Sequence, residues 1–346
     1  MGDLRGRGVQ GISDPDMRFS SFPASARVLV TGGAGFLGRH VLAMLNDTGV
    51  RPVATRLPHE TPPTRVPAAP GDSPAPLDAD WRMLDLTDAD AMRTLLRDCA
   101  PQYILHLAAR MSGERSYTYA GEAFRANLTV THALMCAAGT LCSGLERLVL
   151  IGSAEEYGNA PVLPITEDEP TAPISPYSAS KAAATQYALL YHRLFGLPVT
   201  VLRPFIMYGP EQSTAMMLPQ LIATALRGED FPMTPGEQTR DFIHVGDVAD
   251  AVLRAAVTPA AVGEVFNICS GTERSILSVA QQVLAVMESG TRLLVGAIPY
   301  RSNEAMRLVG NPDKAHRLLG WTPRIELAEG LRRTIASFRQ QTVGIP

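Results

Sequence analysis

Tyr177 and Lys181 stand four residues apart in Tyr177-Ser178-Ala179-Ser180-Lys181. On a helix that spacing puts both side chains on one face. A phenol with a pKa of about 10 is a poor base near neutrality. A neighbouring ammonium favours its anion and lowers that value, so the pair can move a proton to or from a hydroxyl. The bland alternative is a surface tyrosine beside a lysine. Position argues against it, because the pair opens a helix after Pro173 and Pro176. One element earlier, Gly152-Ser153-Ala154-Glu155-Glu156-Tyr157-Gly158 follows the apolar run Arg147–Ile151. Ser153 is expected at the C-terminal end of a parallel strand, where open α/β sheets bind ligands. Its hydroxyl can bond the oxygen that Tyr177 protonates or deprotonates. A carboxylate beside it can act as acid or base, whereas Glu156 is read as a solvated charge.

A second signal is Thr31-Gly32-Gly33-Ala34-Gly35-Phe36-Leu37-Gly38, with glycines at 32, 35 and 38. Glycine tolerates a tight turn and lets the backbone approach a pyrophosphate. The helix that follows offers free N–H groups, from Phe36 and Leu37 onward, and a positive dipole end. A strand before and a helix after are the context a dinucleotide turn requires, and Lys181 could then also hold a nicotinamide ribose. NAD sites usually place an acid at the end of the second strand. Here that position reads Thr55-Arg56. Arg56 is either a solvated loop residue or the cation for a 2′-phosphate, and the reading leans to NADP over NAD.

The elements that must position these groups alternate. Arg27–Val30, Val53–Thr55, Tyr103–Leu107, Arg147–Ile151 and Val199–Leu202 read as strands, and Met83–Leu86 as a strand end. Phe36–Asn46, Asp88–Cys99, Phe124–Ala138 and Tyr177–Leu194 read as helices. That order implies an α/β fold, a doubly wound Rossmann-type parallel sheet covered on both faces, with a smaller C-terminal domain. Residues 26–202 plus about 239–268 are expected to form the dinucleotide-binding unit, and about 203–238 plus 269–340 the substrate unit. Seven prolines between Pro58 and Pro76 forbid helix and central strand, leaving an exposed loop.

With 31 Lys+Arg against 34 Asp+Glu in 346 residues, the net charge is −3. That gives no basic surplus for nucleic acid or an anionic membrane. Cys99, Cys136, Cys142 and Cys269 form no CxxC pair and read as buried free thiols of a reducing compartment, with no metal site. No run resembles a membrane span. Residues 1–25 lack the apolar core of a secretory signal; they are read as a flexible leader, and the protein as cytoplasmic.

These motifs together resemble the extended short-chain dehydrogenase/reductases, the sugar-nucleotide epimerase/dehydratase family. The resemblance runs from about Arg27 to about Phe338. It includes His106-Leu107-Ala108-Ala109, Asn127, Leu202-Arg203-Pro204-Phe205 with Tyr208-Gly209-Pro210, Gln238–Val245 with Asp247-Val248, and Leu319–Pro323. It implies that Asp85 and Leu86 lie near the adenine, and Leu107, Ala108 and Ala109 near the dinucleotide. It also implies that Arg240 and Arg301 meet the diphosphate of a nucleotide sugar, that Met111, Ser112 and Met207 help choose the sugar, and that the chain forms a homodimer. Ile206 and Asn311 depart from the usual Asn and Asp.

The chemistry so implied is hydride transfer at C4 of the sugar, with Tyr177 handling the hydroxyl proton. Glu155 aligns with the base of the dehydratases and decarboxylases. Ala154 replaces the acid partner of the dTDP-glucose dehydratases, and alanine cannot protonate a leaving hydroxyl. The wording Ser-x-Glu-Glu-Tyr-Gly is most similar to GDP-4-keto-6-deoxymannose reductases. The expectation is a 4-epimerase or 4-keto reductase, with 4,6-dehydratase as the alternative. A non-catalytic dinucleotide sensor or scaffold ranks lower, because such proteins often lose the Tyr or the Lys.

Overall fold

In a computed structural model of the chain, residues 22–23, 25–63 and 77–343 are described. Most of the expected leader, and residues 64–76 of the proline-dense loop, lie outside them. The first half alternates strand and helix: β1 (Val28–Thr31), α1 (Phe36–Asp47), β2 (Val53–Arg56), β3 (Asp80–Met83), α2 (Ala89–Cys99), β4 (Tyr103–His106), α3 (Tyr117–Ala123), α4 (Val130–Leu141), β5 (Arg147–Ile151), α5 (Pro176–Phe195) and β6 (Val199–Pro204). The second half is mixed: β7 (Ile206–Tyr208), α6 (Met217–Leu226), β8 (Phe231–Met233), β9 (Thr239–His244), α7 (Val245–Val257), β10 (Val265–Ile268), β11 (Glu273–Ser275), α8 (Ile276–Met287), β12 (Leu293–Val295), β13 (Arg307–Leu308), α9 (Asp313–Leu319) and α10 (Leu327–Val343).

Among the described residues, seven strands form one parallel sheet in the order β10-β6-β5-β4-β1-β2-β3. Their Val, Leu and Ile side chains are buried on both faces, as a parallel sheet requires. One face packs on α1 and α7 and the other on α2, α4 and α5. The strand order reverses between β1 and β4, and at that switch point open α/β sheets leave a crevice. This is the expected doubly wound fold. A second sheet joins β7, β9, β11 and β13, and β8 pairs with β12. A separate core unites α6, α8 and α10 around Leu221, Phe231, Val279 and Leu331.

Local chemistry sets the helix bounds. The Asp88 carboxylate accepts from the amides of Asp90 and Ala91 to start α2. Ser175 caps α5, Pro176 occupies its first turn, and Gly196 ends it at φ +69°. Four expectations shift. The third strand, Asp80–Met83, stops at Met83 rather than running through the expected strand end Met83–Leu86, because Asp85 bonds the amide and hydroxyl of Thr87 and turns the chain. The expected helix from Phe124 begins earlier, capped at Ser116, and contains a wide π-helical turn over Phe124–Thr129. Residues 239–244, expected with the first unit, pair instead with β7, β11 and β13; the return to the main sheet is α7–β10. Packing also starts before Arg27, for Phe22 is 5% exposed and sets its ring edge-on to Tyr103.

Candidate active site

The turn after β1 forms one wall of the crevice. Gly32 takes φ +71° and donates its N–H to Thr55 Oγ1 at 3.1 Å. A Cβ there would stand 2.8 Å from the backbone of Ala108, so the turns after β1 and β4 meet backbone to backbone. A Cβ at Gly38 would run into the carbonyls of Gly32 and Gly33. Helix α1 begins on Gly35 with no side-chain cap, so amides of its first turn are left to bind an anion such as a pyrophosphate.

Around this turn the expected contacts divide. Phe36, Leu107 and Ala108 are half-buried at the crevice, Leu37 is buried, and Ala109 is exposed. Leu86 packs into the core, while Asp85 spends its carboxylate on Thr87, which holds its pKa below the usual carboxylate value. Arg56 is not the solvated loop residue of one reading: it is half-buried, and its Nη1 donates to the carbonyls of Leu57 at 3.3 Å and Glu60 at 2.6 Å.

Across the crevice, α5 presents Tyr177, Lys181 and Thr185 at successive four-residue steps, all buried. Burial lowers the Lys181 ammonium to about 8. The Tyr177 phenol moves opposite to the sequence expectation. Burial raises it first and the Glu155 carboxylate second, while the Ser153 hydroxyl beside it pulls it down. Ser153 Oγ accepts the Glu155 amide at 3.1 Å, which leaves its own hydrogen to donate.

Glu156 is not a solvated charge. It is fully buried, and Oε1 accepts from the Ser153 amide at 2.9 Å and the Thr185 hydroxyl at 3.1 Å. Oε2 pairs with Arg203 Nε at 2.9 Å, and that guanidinium stacks 4.6 Å over the Tyr157 ring. A readable signal existed: Ser153 followed three residues later by Glu is a capping box, and the structure closes it.

Glu155 turns the other way, into a cleft that also holds Arg115, Arg240, Arg301 and Glu304. Burial raises the Glu155 carboxyl, opposed by Arg240 and Arg301. Arg240 Nη2 pairs with Glu304 at 2.5 Å and its Nη1 donates to the Thr239 carbonyl at 2.8 Å. Arg115 reaches the Ser302 carbonyl, joining the loop after β4 to the loop before β13. Neither Arg115 nor Glu304 was expected, and no local spacing marks them. Met111, Ser112 and Met207 do not line this cleft; Met111 is 51% exposed and Met207 packs against the main core.

A family model described as the NAD dependent epimerase/dehydratase family matches residues 28–269. The chain belongs to that family. Over 317 residues it is 32% identical to the dTDP-glucose 4,6-dehydratase of Streptomyces niveus, covering 90% of this chain and 93% of that one. Over 327 residues it is 30% identical to the UDP-glucose 4-epimerase of Mycolicibacterium smegmatis, covering 91% and 99%. The solved UDP-glucose 4-epimerase of Thermus thermophilus in complex with NAD aligns with a TM-score of 0.79 at 27% identity, over 90% of this chain and 99% of that one.

In this epimerase/dehydratase family member a directed hydrogen-bond chain joins the two walls. Thr131 donates to the Asn127 carbonyl at 2.6 Å, so it accepts from His106 Nε2 at 2.9 Å. His106 Nδ1 then accepts from Thr31 Oγ1 at 2.7 Å. Burial drives His106 down to about 3 and keeps it neutral. Asn127, on the π-helical turn, donates to Ser180 Oγ at 3.0 Å, and Ser180 donates to the Tyr177 carbonyl at 2.7 Å. The glycine turn and the Tyr177 helix are thereby tied through one polar path. Among the described residues no cluster of three metal-ligating side chains occurs and no helix is long and apolar enough to cross a membrane. The four cysteines are free, with Cys136 exposed rather than buried.

Proposed function

We propose that this chain transfers a hydride at C4 of a nucleotide-linked sugar, as a 4-epimerase or a 4-keto reductase. The observation that carries this reading is the place of Glu155: it acts on Tyr177 and also lines the cleft with Arg240 and Arg301. A hexose whose diphosphate met those guanidinium groups would present its ring to Tyr177 and Ser153. Gly32, Gly35, Phe36, Leu37 and Gly38 would cradle the dinucleotide, beside Leu107, Ala108 and Ala109, with Asp85 and Leu86 at the adenine side.

When bound, the nicotinamide supplies or accepts the hydride. Tyr177 takes or returns the proton of the C4 hydroxyl, and Ser153 holds that oxygen by a hydrogen bond. The buried ammonium of Lys181 would hold the ribose hydroxyls of the dinucleotide and would favour the phenolate once the proton has left. A second reading, 4,6-dehydration, is favoured by Glu155, whose raised carboxyl suits it to take the C5 proton. Ala154 is buried and gives no acid for the leaving hydroxyl. The deciding experiment incubates the enzyme with a panel of sugar nucleotides, with and without NADPH, and weighs the products. Unchanged mass with new stereochemistry means epimerase, a gain of two hydrogens means reductase, and loss of water means dehydratase. Turnover of none of them sinks the reading in favour of a sensor.

For the cofactor, the dinucleotide is NAD or NADP, with NADP ahead. Support comes from Arg56, which stands at the end of β2 where an acid would select NAD; its buried Nε lacks a hydrogen-bond partner. Equal affinity for both dinucleotides, unmoved by Arg56→Ala, would remove the preference. A homodimer is proposed through α4 and α5, which expose Tyr187, Leu194 and Phe195 beside the His132–Tyr191 pair. A reducing, cytoplasmic setting is proposed on the four free thiols.

A further inference from the structure

Glu156 takes no part in the steps above, yet its buried carboxylate touches three elements of the site. We propose that Glu156 is a positioning residue: it locks the amide of Ser153 to the face of α5 that carries Tyr177 and Lys181, and supplies the anion that keeps Lys181 charged. The proposal rests on the hydride-transfer reading for its effect on turnover, but not for its effect on dinucleotide binding.

The geometry leaves little freedom. One oxygen, Oε1, serves both the Ser153 amide and Thr185 Oγ1, so the strand end and the helix share a single acceptor. Thr185 is one helical step beyond Lys181 and two beyond Tyr177, hence on their face. The other oxygen is fixed by Arg203 from β6. The Glu156 carbonyl accepts the Ala172 amide at 3.0 Å, which also ties down the segment leading into α5. Gly152 leaves no slack either, since a Cβ there would lie 2.5 Å from Oε1. A carboxylate clamped in this way fixes how Ser153 addresses Tyr177, and small displacements of such groups are costly.

Titratable groups approach Lys181 from several elements, and the charge that acts on it is that of Glu156. Glu156 faces it from the turn after β5, with Arg203 of β6 behind. His106, held neutral, faces it from the end of β4, and Tyr177 lies on its own helix. Of these, Glu156 opposes the effect of burial and raises the Lys181 pKa. Its neutralisation therefore lets the ammonium lose its proton at a lower pH, and leaves the Arg203 cation uncompensated, which acts in the same direction.

The test pairs Glu156→Gln with Thr185→Val, each compared with wild type for melting temperature, kcat, KM and NAD⁺ affinity across pH. In the wild type, NAD⁺ affinity is expected to fall as pH rises through about 8, where Lys181 becomes neutral. In Glu156→Gln that midpoint moves down by about one pH unit. In Thr185→Val, which keeps the carboxylate, the midpoint stays, while kcat falls roughly ten- to a hundredfold at little change in KM; Thr185→Ser restores it. An unmoved midpoint in Glu156→Gln overturns the proposal. So does wild-type kcat in Thr185→Val, whether or not Glu156→Gln folds. Because the NAD⁺ titration needs no sugar, a wild type that turns over no sugar nucleotide would sink the proposed reaction and leave the charge role of Glu156 still measurable.

Discussion

At the scale of single residues, the surroundings of Tyr177, the proposed proton carrier, favour its protonated form. Burial and Glu155 both disfavour the phenolate, so the proton is expected to leave only when positive charge, such as that of an oxidised nicotinamide, would lie beside it. Removing the hydroxyl in Tyr177→Phe should lower kcat by about a hundred- to ten-thousandfold with a small change in KM, as read by initial rates on the substrate found in the panel. The helix that carries Tyr177 and Lys181 and the strand that ends before Ser153 were legible in the sequence because their signals are local. Arg115 and Glu304 were not, since their place in the cleft depends on loops more than 180 residues apart meeting in space. Glu156 was legible but misread. It was read as a solvated charge, whereas the capping-box spacing and an Arg inside an apolar strand run pointed to a buried pair.

At the scale of elements, the glycine turn and the start of α1 depend on close backbone approach. Gly38→Ala should cost about 1–3 kcal/mol of stability and weaken dinucleotide binding at least tenfold, roughly the loss of one good contact, measured by urea titration and by NAD⁺ titration. Unchanged affinity would mean that the turn does not cradle the pyrophosphate. Strands β1, β2, β4, β5 and β6 of the main sheet were legible because each is a short run, largely apolar, between turn residues, whereas β10 was not read as a strand. The end of the third strand was read three residues too late because Asp85 and Asp88 impose turn and cap chemistry that hydrophobicity does not report. The π-helical turn at Phe124–Thr129 had no readable signal; it places Asn127 where its amide reaches both Arg110 and Ser180.

At the scale of the whole molecule, buried acids join the segments beyond the main sheet to it. Asp247 accepts the amides of Arg324 and Ile325, and burial raises its carboxyl to about 6. A carboxyl whose folded pKa lies above its unfolded value stabilises the fold most below that unfolded value, and the contribution is lost as pH rises through about 6. Relative to Asp247→Asn, the wild type should therefore lose up to about 3 kcal/mol between pH 4 and 7 in urea titrations; a difference independent of pH would contradict this. If α4 and α5 form the dimer face, Phe195→Glu should shift the sedimenting species towards the monomer, and a wild type that is itself monomeric would refute the dimer. The central claim, hydride transfer at C4, is tested most directly by isotope. Sugar nucleotides deuterated at C4, 6-deoxyhexoses included, are incubated with the enzyme and oxidised dinucleotide, and the label is followed by mass spectrometry. Hydride transfer at C4 puts deuterium on the nicotinamide ring, transiently or in the product dinucleotide, and does so at least about a hundredfold more slowly in Tyr177→Phe. Deuterium that never leaves C4 of any sugar turned over would contradict it.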